Sequence, residues 1–272
     1  MIWARTVSAL RDATRAGRSK GPVGFVPTMG ALHRGHTTLF DVARRESGLL
    51  VASVFVNPTQ FNDAADLAAY PRVEDRDGEL ADAAGVDVLF VPGVEEVYRP
   101  GHASSVMVGG AAVGYEGAHR PDHFNGVATV CLTLFAMVQP DRVYFGQKDA
   151  QQVAVIRQIV ADFSLPLEIR VVPTVRDADG VALSSRNIRL STADRLRAAA
   201  IPRSLRRGLE AYQAGADPVT AARTELRDLD VDYVDVAQFH GEPTLVVAAR
   251  VGGTRLIDNV PLRDPAAAGL GL

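Results

Sequence analysis

The chain has a single cysteine, Cys131, among 272 residues. No intrachain disulfide can form, which fits a reducing compartment and points to the cytoplasm. A zinc cage is a poor reading as well, because no further His/Cys pair at ligand spacing accompanies Cys131. Long apolar runs are missing: no stretch approaches the roughly 20 residues that a membrane span needs. The start, Met1-Ile2-Trp3-Ala4-Arg5, leads into charged residues and lacks the apolar core of a signal peptide. Charge of one sign is lacking too. Lys and Arg number 29 against 32 Asp and Glu, a formal net charge of −3, so no broad basic field suggests a nucleic-acid partner. There is no internal repeat and no extended low-complexity tract, although the Ala/Gly-rich stretch 265–272 is expected to fray. What is present, 47% apolar and 22% charged residues, is the composition of an ordinary globular protein of one or two domains.

The apolar pattern alternates between strands and helices. A helix is predicted over 6–16, with Val7, Leu10 and Ala13-Thr14 on one side. Short β-forming runs follow at 23–26 (bounded by Pro22 and Pro27), 49–56, 86–91, 142–145 and 167–172, with loop and strand over 94–108. Helices are expected over 37–45 and 74–84. A further helix over 127–138 carries a core stripe of Phe124, Val127, Cys131, Leu134 and Val138. Cys131 on that stripe reads as a small buried hydrophobe rather than a nucleophile. The next helix carries Val153, Ile156, Val160 and Phe163 as its apolar stripe. Such alternation predicts a Rossmann-like, doubly wound parallel sheet. Past Arg176 the texture changes. Ala- and Arg-rich helices over 192–214 and 218–229 precede a meander of strands at 231–237, 244–251 and 254–257. The predicted division is therefore residues 1–175, an α/β domain, and 176–272, a smaller α+β domain.

Polar residues gather where strands end. The first strand runs into Thr28-Met29-Gly30-Ala31-Leu32-His33-Arg34-Gly35-His36. His33 and His36 sit at a strand-to-helix handover, where open α/β sheets bind nucleotides and a helix start offers free N–H groups to phosphate. His-x-Gly-His there is the signature of a nucleotidylyl-transferring superfamily that includes class I aminoacyl-tRNA synthetases (the HIGH motif). Read alone, the two residues are equally one surface and one core histidine. The second strand exits into Asn57-Pro58-Thr59-Gln60-Phe61, where Asn57 and Gln60 suit either turn chemistry or a polar substrate. The acidic run Glu74-Asp75-Arg76-Asp77 reads as a solvated helical face, or as a place where Asp75 or Asp77 holds Mg²⁺. Gly146-Gln147-Lys148-Asp149 puts a lysine within reach of phosphates and an acid at a helix start. The long polar loop 173–187 ends in Leu183-Ser184-Ser185-Arg186-Asn187. Two hydroxyls and a guanidinium fork there suit phosphate, or simply a surface loop with a capping serine.

In order and at these spacings the segments resemble the pantothenate synthetase (pantoate–β-alanine ligase) family. The resemblance covers nearly the whole chain, including Tyr70-Pro71-Arg72, residues 120–127 (Arg-Pro-Asp-His-Phe-Asn-Gly-Val), Gln151-Gln152 and residues 254–259 (Thr-Arg-Leu-Ile-Asp-Asn). It implies a cytoplasmic homodimer that joins pantoate to β-alanine with ATP, through pantoyl adenylate, without nucleic acid or membrane. It implies His33, His36, Lys148, Ser184, Ser185 and Arg186 as catalytic, phosphate-binding residues. Met29, Gly146, Asp149, Val175 and Leu183 complete the ATP set, with the acid on the ribose. Met29, Gln60 and Gln152 would line the pantoate pocket, with Asn57 near the reacting groups. Asp77 aligns with an acidic position linked to Mg²⁺, and residues 176–272 correspond to a lid. The chain departs from the family pattern at Arg76, where another acid is common, and at Thr37, Thr133 and Arg189. A plain nucleotidylyltransferase shares His-x-Gly-His but does not predict the Asn57–Phe61 and Ser184–Asn187 segments. A silent nucleotide-binding protein predicts no turnover.

Overall fold

The computed structural model describes residues 1–239 and 241–270. The chain divides into two compact units. One comprises Met1–Leu32, His36–Phe145 and Gln151–Val172, and the other His33–Gly35, Gly146–Ala150 and Pro173–Leu272.

The first unit is built on a six-stranded sheet of β1 (Ile2–Ala4), β2 (Val23–Thr28), β3 (Leu49–Val54), β4 (Val88–Phe90), β5 (Arg142–Gly146) and β6 (Glu168–Val172). Their order is β1-β4-β3-β2-β5-β6. The pairs β1–β4, β4–β3, β3–β2 and β2–β5 are parallel. The chain moves outward from β2 through β3 to β4, then returns to start the other half with β5, so the sheet reverses its strand order between β2 and β5. Successive side chains of a strand face opposite sides, and both sides are covered here. Val23, Phe25, Val51, Val88 and Phe90 join one core with the helices Val7–Gly17 and His123–Val138. Val26, Leu50, Ala52 and Leu89 join another with Phe40 and Ala43 of the helix Arg34–Glu46 and Ala81 of the helix Glu74–Ala83. Burial on both faces is why these strands read as unbroken apolar runs. Thr6 caps the first helix by accepting the Ala9 N–H.

The second unit has an antiparallel sheet of β7 (Asp230–Phe239), β8 (Glu242–Val251) and β9 (Thr254–Pro261), in that order. Leu205 and Leu209 of the helix Ala200–Gln213, and Ala222 of the helix Pro218–Glu225, pack with Leu245, Val247 and Val260 of this sheet. β9 carries the acid of a buried ion pair. Arg176 donates to both carboxylate oxygens of Asp258, at 2.6 and 3.0 Å, and also to Gly180 O and Ala268 O.

Several expectations are corrected. β1 has no sequence signal, being three residues whose Ile2 and Trp3 are exposed. The strand expected within 94–108 is absent; Val94–Val97 is a short helix, and 103–109 has no regular structure. The helix expected from Val127 begins at His123, and the stretch before it holds another helix, Tyr115–His119. The helix predicted over 192–214 breaks at Ala199, into Thr192–Ala198 and Ala200–Gln213. Pro202 near the second start favours that break, since its ring cannot follow the preceding turn. Phe163 lies beyond its helix, which ends at Asp162, and is exposed. The tail does not fray as expected: Pro265–Ala268 is a 3-10 turn, and Ala268 and Leu270 are buried. Residues 271 and 272 lie outside the described part.

Asp258→Ala, which leaves the Arg176 charge buried without its partner, is expected to destabilise the second unit by about 3–5 kcal/mol. Replacing both residues with apolar ones costs far less. Hydrogen exchange at the β8 amides reads both variants.

Candidate active site

The turn after β2 has two left-handed residues in succession, Gly30 and Ala31, with φ of 79° and 50°. Such a turn points amides away from the sheet. They are met by Asp77, whose Oδ2 accepts the Ala31 N–H at 2.9 Å and Oδ1 the Leu32 N–H at 2.7 Å. Gly30 is required here, because a Cβ would stand 2.7 Å from Asp77 Oδ2 and 2.9 Å from Val54 Cγ1. Asp77 is only 1% exposed. Burial pushes its carboxyl up from the usual range, and the two amides and the neighbouring Arg76 oppose that rise. Each Asp77 oxygen already accepts one backbone amide, and no group of three or more His, Cys, Asp or Glu among the described residues is arranged to hold a metal. Asp77 braces the turn. Met29, on the same turn, is half-buried, as is His36 in the first turn of Arg34–Glu46. That helix starts three residues earlier than expected, so Gly35 and His36 lie within it.

After β3 the chain makes a 3-10 turn, Pro58–Gln60, capped by Asn57. Asn57 is buried with both polar atoms of its side chain engaged. Its Nδ2 donates to Gln60 Oε1 at 3.0 Å and to Gly126 O at 3.2 Å, while its Oδ1 accepts from the Tyr98 hydroxyl at 2.8 Å and from Thr59 Oγ1 at 2.9 Å. The backbone oxygen of Gln60 meets His123 Nδ1 at 2.9 Å and a guanidinium nitrogen of Arg120 at 3.3 Å. Gly126 lets the helix His123–Val138 approach this turn; a Cβ there would meet Thr59 O at 2.4 Å. So Asn57 has the turn chemistry and no open group for a ligand. It fixes the amide of Gln60, with Oε1 as the accepting end. Gln152 is half-buried. The preceding Gln151 is buried and ties down residues 111–116, accepting the Glu116 N–H at 2.9 Å and donating to Ala111 O at 3.1 Å and Gly114 O at 3.2 Å.

In the second unit, His33 folds back over its own turn. Its Nδ1 accepts the Gly35 N–H at 3.1 Å. That assigns the proton of the neutral ring to Nε2. Gly35 is needed for this contact, since a Cβ would stand 2.9 Å from His33 Cε1. Burial and, next, the Lys148 charge lower the His33 pKa from the ordinary 6.5, against the pull of Asp149 and Asp177. The 3-10 turn Gln147–Asp149 carries Lys148, whose Nζ lies 3.2 Å from Asp149 Oδ1. Gly146 has φ −83°, and a Cβ there would meet nothing within 4 Å, so packing does not demand glycine at that position. The loop 173–187 is more folded than expected. Leu183 N bonds Val175 O at 2.9 Å and Asp177 N bonds Val181 O at 3.0 Å, making a small hairpin whose Val181 and Ala182 are buried. Ser184 caps the following 3-10 turn through the Arg186 N–H at 3.3 Å, and Ser184, Ser185 and Arg186 are half-buried.

Each unit therefore gathers its share of the predicted residues: Met29, His36, Asn57, Gln60 and Gln152 in the first, and His33, Gly146, Lys148, Asp149, Val175, Leu183, Ser184, Ser185 and Arg186 in the second. The supporting residues Tyr98, His123, Gln151, Arg176, Asp258 and Asn259 were not assigned roles from sequence. His123 and Asn259 stand in segments that carry the resemblance, which was the available signal; Tyr98 had none. Cys131 is buried in the core, and burial pushes its thiol up to about 12.

Two outcomes are expected. The His33 ring protons titrate by NMR with a midpoint below 6.5, and Lys148→Ala moves that midpoint upward. Because the native pKa is depressed, the unfolded chain protonates first. The His33 contribution to stability is whole above about pH 6.5 and is lost as pH falls below it. Asp77→Asn is expected to cost about 1–3 kcal/mol of stability in buffer free of divalent cations, because one turn amide loses its acceptor. Thermal unfolding of the two proteins reads that loss.

The family model for pantoate-beta-alanine ligase matches residues 2–261. Among similar proteins, the pantothenate synthetase of Corynebacterium efficiens is 49% identical, with 96% of this chain and 99% of the relative covered. That of Rhizorhabdus wittichii is 46% identical, with 96% and 98% covered. The crystal structure of the Thermus thermophilus pantothenate synthetase superposes with a TM-score of 0.91 at 44% identity, covering 96% of this chain and 99% of that one. The Francisella tularensis pantoate-beta-alanine ligase, described as complexed with beta-gamma ATP and beta-alanine, gives 0.83 at 33% identity, covering 97% and 98%. The chain belongs to the pantoate–β-alanine ligase family.

Proposed function

We propose that the chain condenses (R)-pantoate with β-alanine, converting ATP to AMP and diphosphate through a pantoyl adenylate. The family match over residues 2–261, running through both units, carries this reading. The Francisella relative, described with an ATP analogue and β-alanine, supports those two substrates.

In the first half-reaction a pantoate carboxylate oxygen attacks the α-phosphorus. A P–O bond forms to pantoate as the bond to the departing diphosphate breaks, and negative charge grows on the phosphoryl oxygens. Neutral His33 meets that charge as a donor through Nε2–H, a proton position set by the Gly35 contact. His36 is a second donor to the same charge. Lys148, Ser184, Ser185 and Arg186 hold the phosphates, by point charge, hydroxyls and a planar fork. Asp149 takes the ribose hydroxyls, Gly146 allows the nucleoside to approach its backbone closely, and Val175 and Leu183 line the nucleotide. Met29, Gln60 and Gln152 hold pantoate. Gln60 offers its Nε2 donors, because Asn57 already occupies its Oε1. In the second half-reaction the neutral amine of β-alanine attacks the acyl carbon, the bond to AMP breaks, and the nitrogen loses a proton.

Residues 1–175 form the substrate domain in this reading. Residues 176–272 serve as a lid that keeps water from the adenylate. Mg²⁺ arrives with ATP, held by phosphates and water rather than by a protein carboxylate cage. The working form is a cytoplasmic homodimer without nucleic-acid or membrane partners; no helix of the described residues is long and apolar enough to cross a membrane.

The test is exchange of labelled diphosphate into ATP with β-alanine absent. Exchange that depends on pantoate is expected, and His36→Ala and Lys148→Ala should each lower it by about 10²-fold or more. Exchange without pantoate, or full activity in both variants, would overturn the reading.

A further inference from the structure

Asn259 lies near the end of β9, where its side chain is 2% exposed. Each of its amide hydrogens and its oxygen has a partner on one short segment. Nδ2 donates to Gln147 O at 3.0 Å and to Lys148 O at 2.8 Å, and Oδ1 accepts from Gln147 Nε2 at 3.0 Å. These two carbonyls belong to the 3-10 turn that carries Lys148. A turn of three residues has little internal hydrogen bonding to hold its shape. The geometry of its carbonyls decides where the Lys148 side chain starts. The clamp itself is anchored. The preceding residue on the strand, Asp258, points to the opposite face and is locked by the bidentate Arg176 pair. Arg176 in turn holds Gly180 O, within the hairpin that leads into Ser184–Arg186. Two successive residues of β9 therefore fix the starting points of both segments proposed above to bind phosphate.

We infer that Asn259 is a positioning residue for adenylation, which fixes the Lys148 turn against β9 so that the ammonium meets the ATP phosphates in register. This rests on the proposed role of Lys148. It adds that the lysine's effectiveness is set by a side chain more than a hundred residues away in sequence.

The experiment is a double-mutant cycle on pantoate-dependent exchange, run with Asn259→Ala and the isosteric Asn259→Asp in wild-type and Lys148→Ala backgrounds. Asn259→Asp keeps the volume and the acceptor for Gln147 Nε2 but loses both donors to the turn carbonyls. In the wild-type background each change is expected to lower kcat/KM for ATP by roughly 10- to 10²-fold, the scale of a misplaced catalytic group. KM for pantoate should be unchanged. With Lys148 already removed, the same changes should lower exchange by less than about threefold, since coupled residues are not additive. Equal losses in both backgrounds would overturn the inference, because Asn259 would then act on something other than Lys148. So would a loss confined to the active fraction, with both KM values and kcat per folded molecule kept. Wild-type activity in Lys148→Ala would instead overturn the proposed role of Lys148, and the inference with it.

Discussion

Parallel pairing is the constraint on which the first unit depends. Strands that run the same way finish at the same edge of a sheet, and the chain must cross back along a face before it can add the next one. Every crossing covers a face, so both faces are buried. Every strand then ends in a turn that cannot continue the ladder. The exit turns of β2 and β3 concentrate polar backbone and side chains at one edge. Polar chemistry collects there because it has nowhere to go inside the layers, and a reversal of strand order like that between β2 and β5 is where open α/β sheets take their ligands.

Much of the polar inventory holds other groups in place. Asp77 satisfies two turn amides, Asn57 orients Gln60, Gln151 pins the segment before the long helix, and Asn259 spans the Lys148 turn. Each is buried, where an unmade hydrogen bond costs about 1–3 kcal/mol. That cost is what makes such residues specify one geometry: a small displacement of the turn breaks bonds that water cannot replace. His33 shows the same logic applied to protonation. A ring tied through Nδ1 to a backbone amide, partly buried and near a lysine, stays neutral and presents a fixed donor.

The layers were legible in the sequence because apolar periodicity reports burial directly. The runs Val23–Thr28 and Leu49–Val54 and the stripe Phe124 to Val138 all fall inside the core. The family-specific segments singled out Lys148 and the Ser184–Arg186 stretch, the residues proposed above to hold phosphate. β1 was illegible because three residues paired at an edge, with two side chains exposed, leave no periodic trace. The bracing role of Asp77 was hidden for a different reason. An acid beside other acids at a helix start looks like a solvated face or a metal ligand, and only the left-handed turn 47 and 46 residues earlier, at Gly30 and Ala31, reveals which amides need it. Asn57 was ambiguous between turn and substrate chemistry for the same reason: the answer lay in Tyr98 and Gly126, far along the chain. Local pattern shows what a residue is able to do, and distant partners decide what it does.

The buried Cys131 has a practical consequence. Its thiol is enclosed on the core side of a helix, and burial holds it almost entirely protonated at neutral pH. The folded chain is thus close to silent toward thiol-directed reagents. A cysteine introduced at an exposed site would be the one fast-reacting thiol on the molecule, so a spin label or fluorophore can be attached at a chosen place without first removing a native sulfur. The same enclosure makes the modification rate of Cys131 a reporter of transient opening of the first unit's core, since the reagent reaches sulfur only when the layers part.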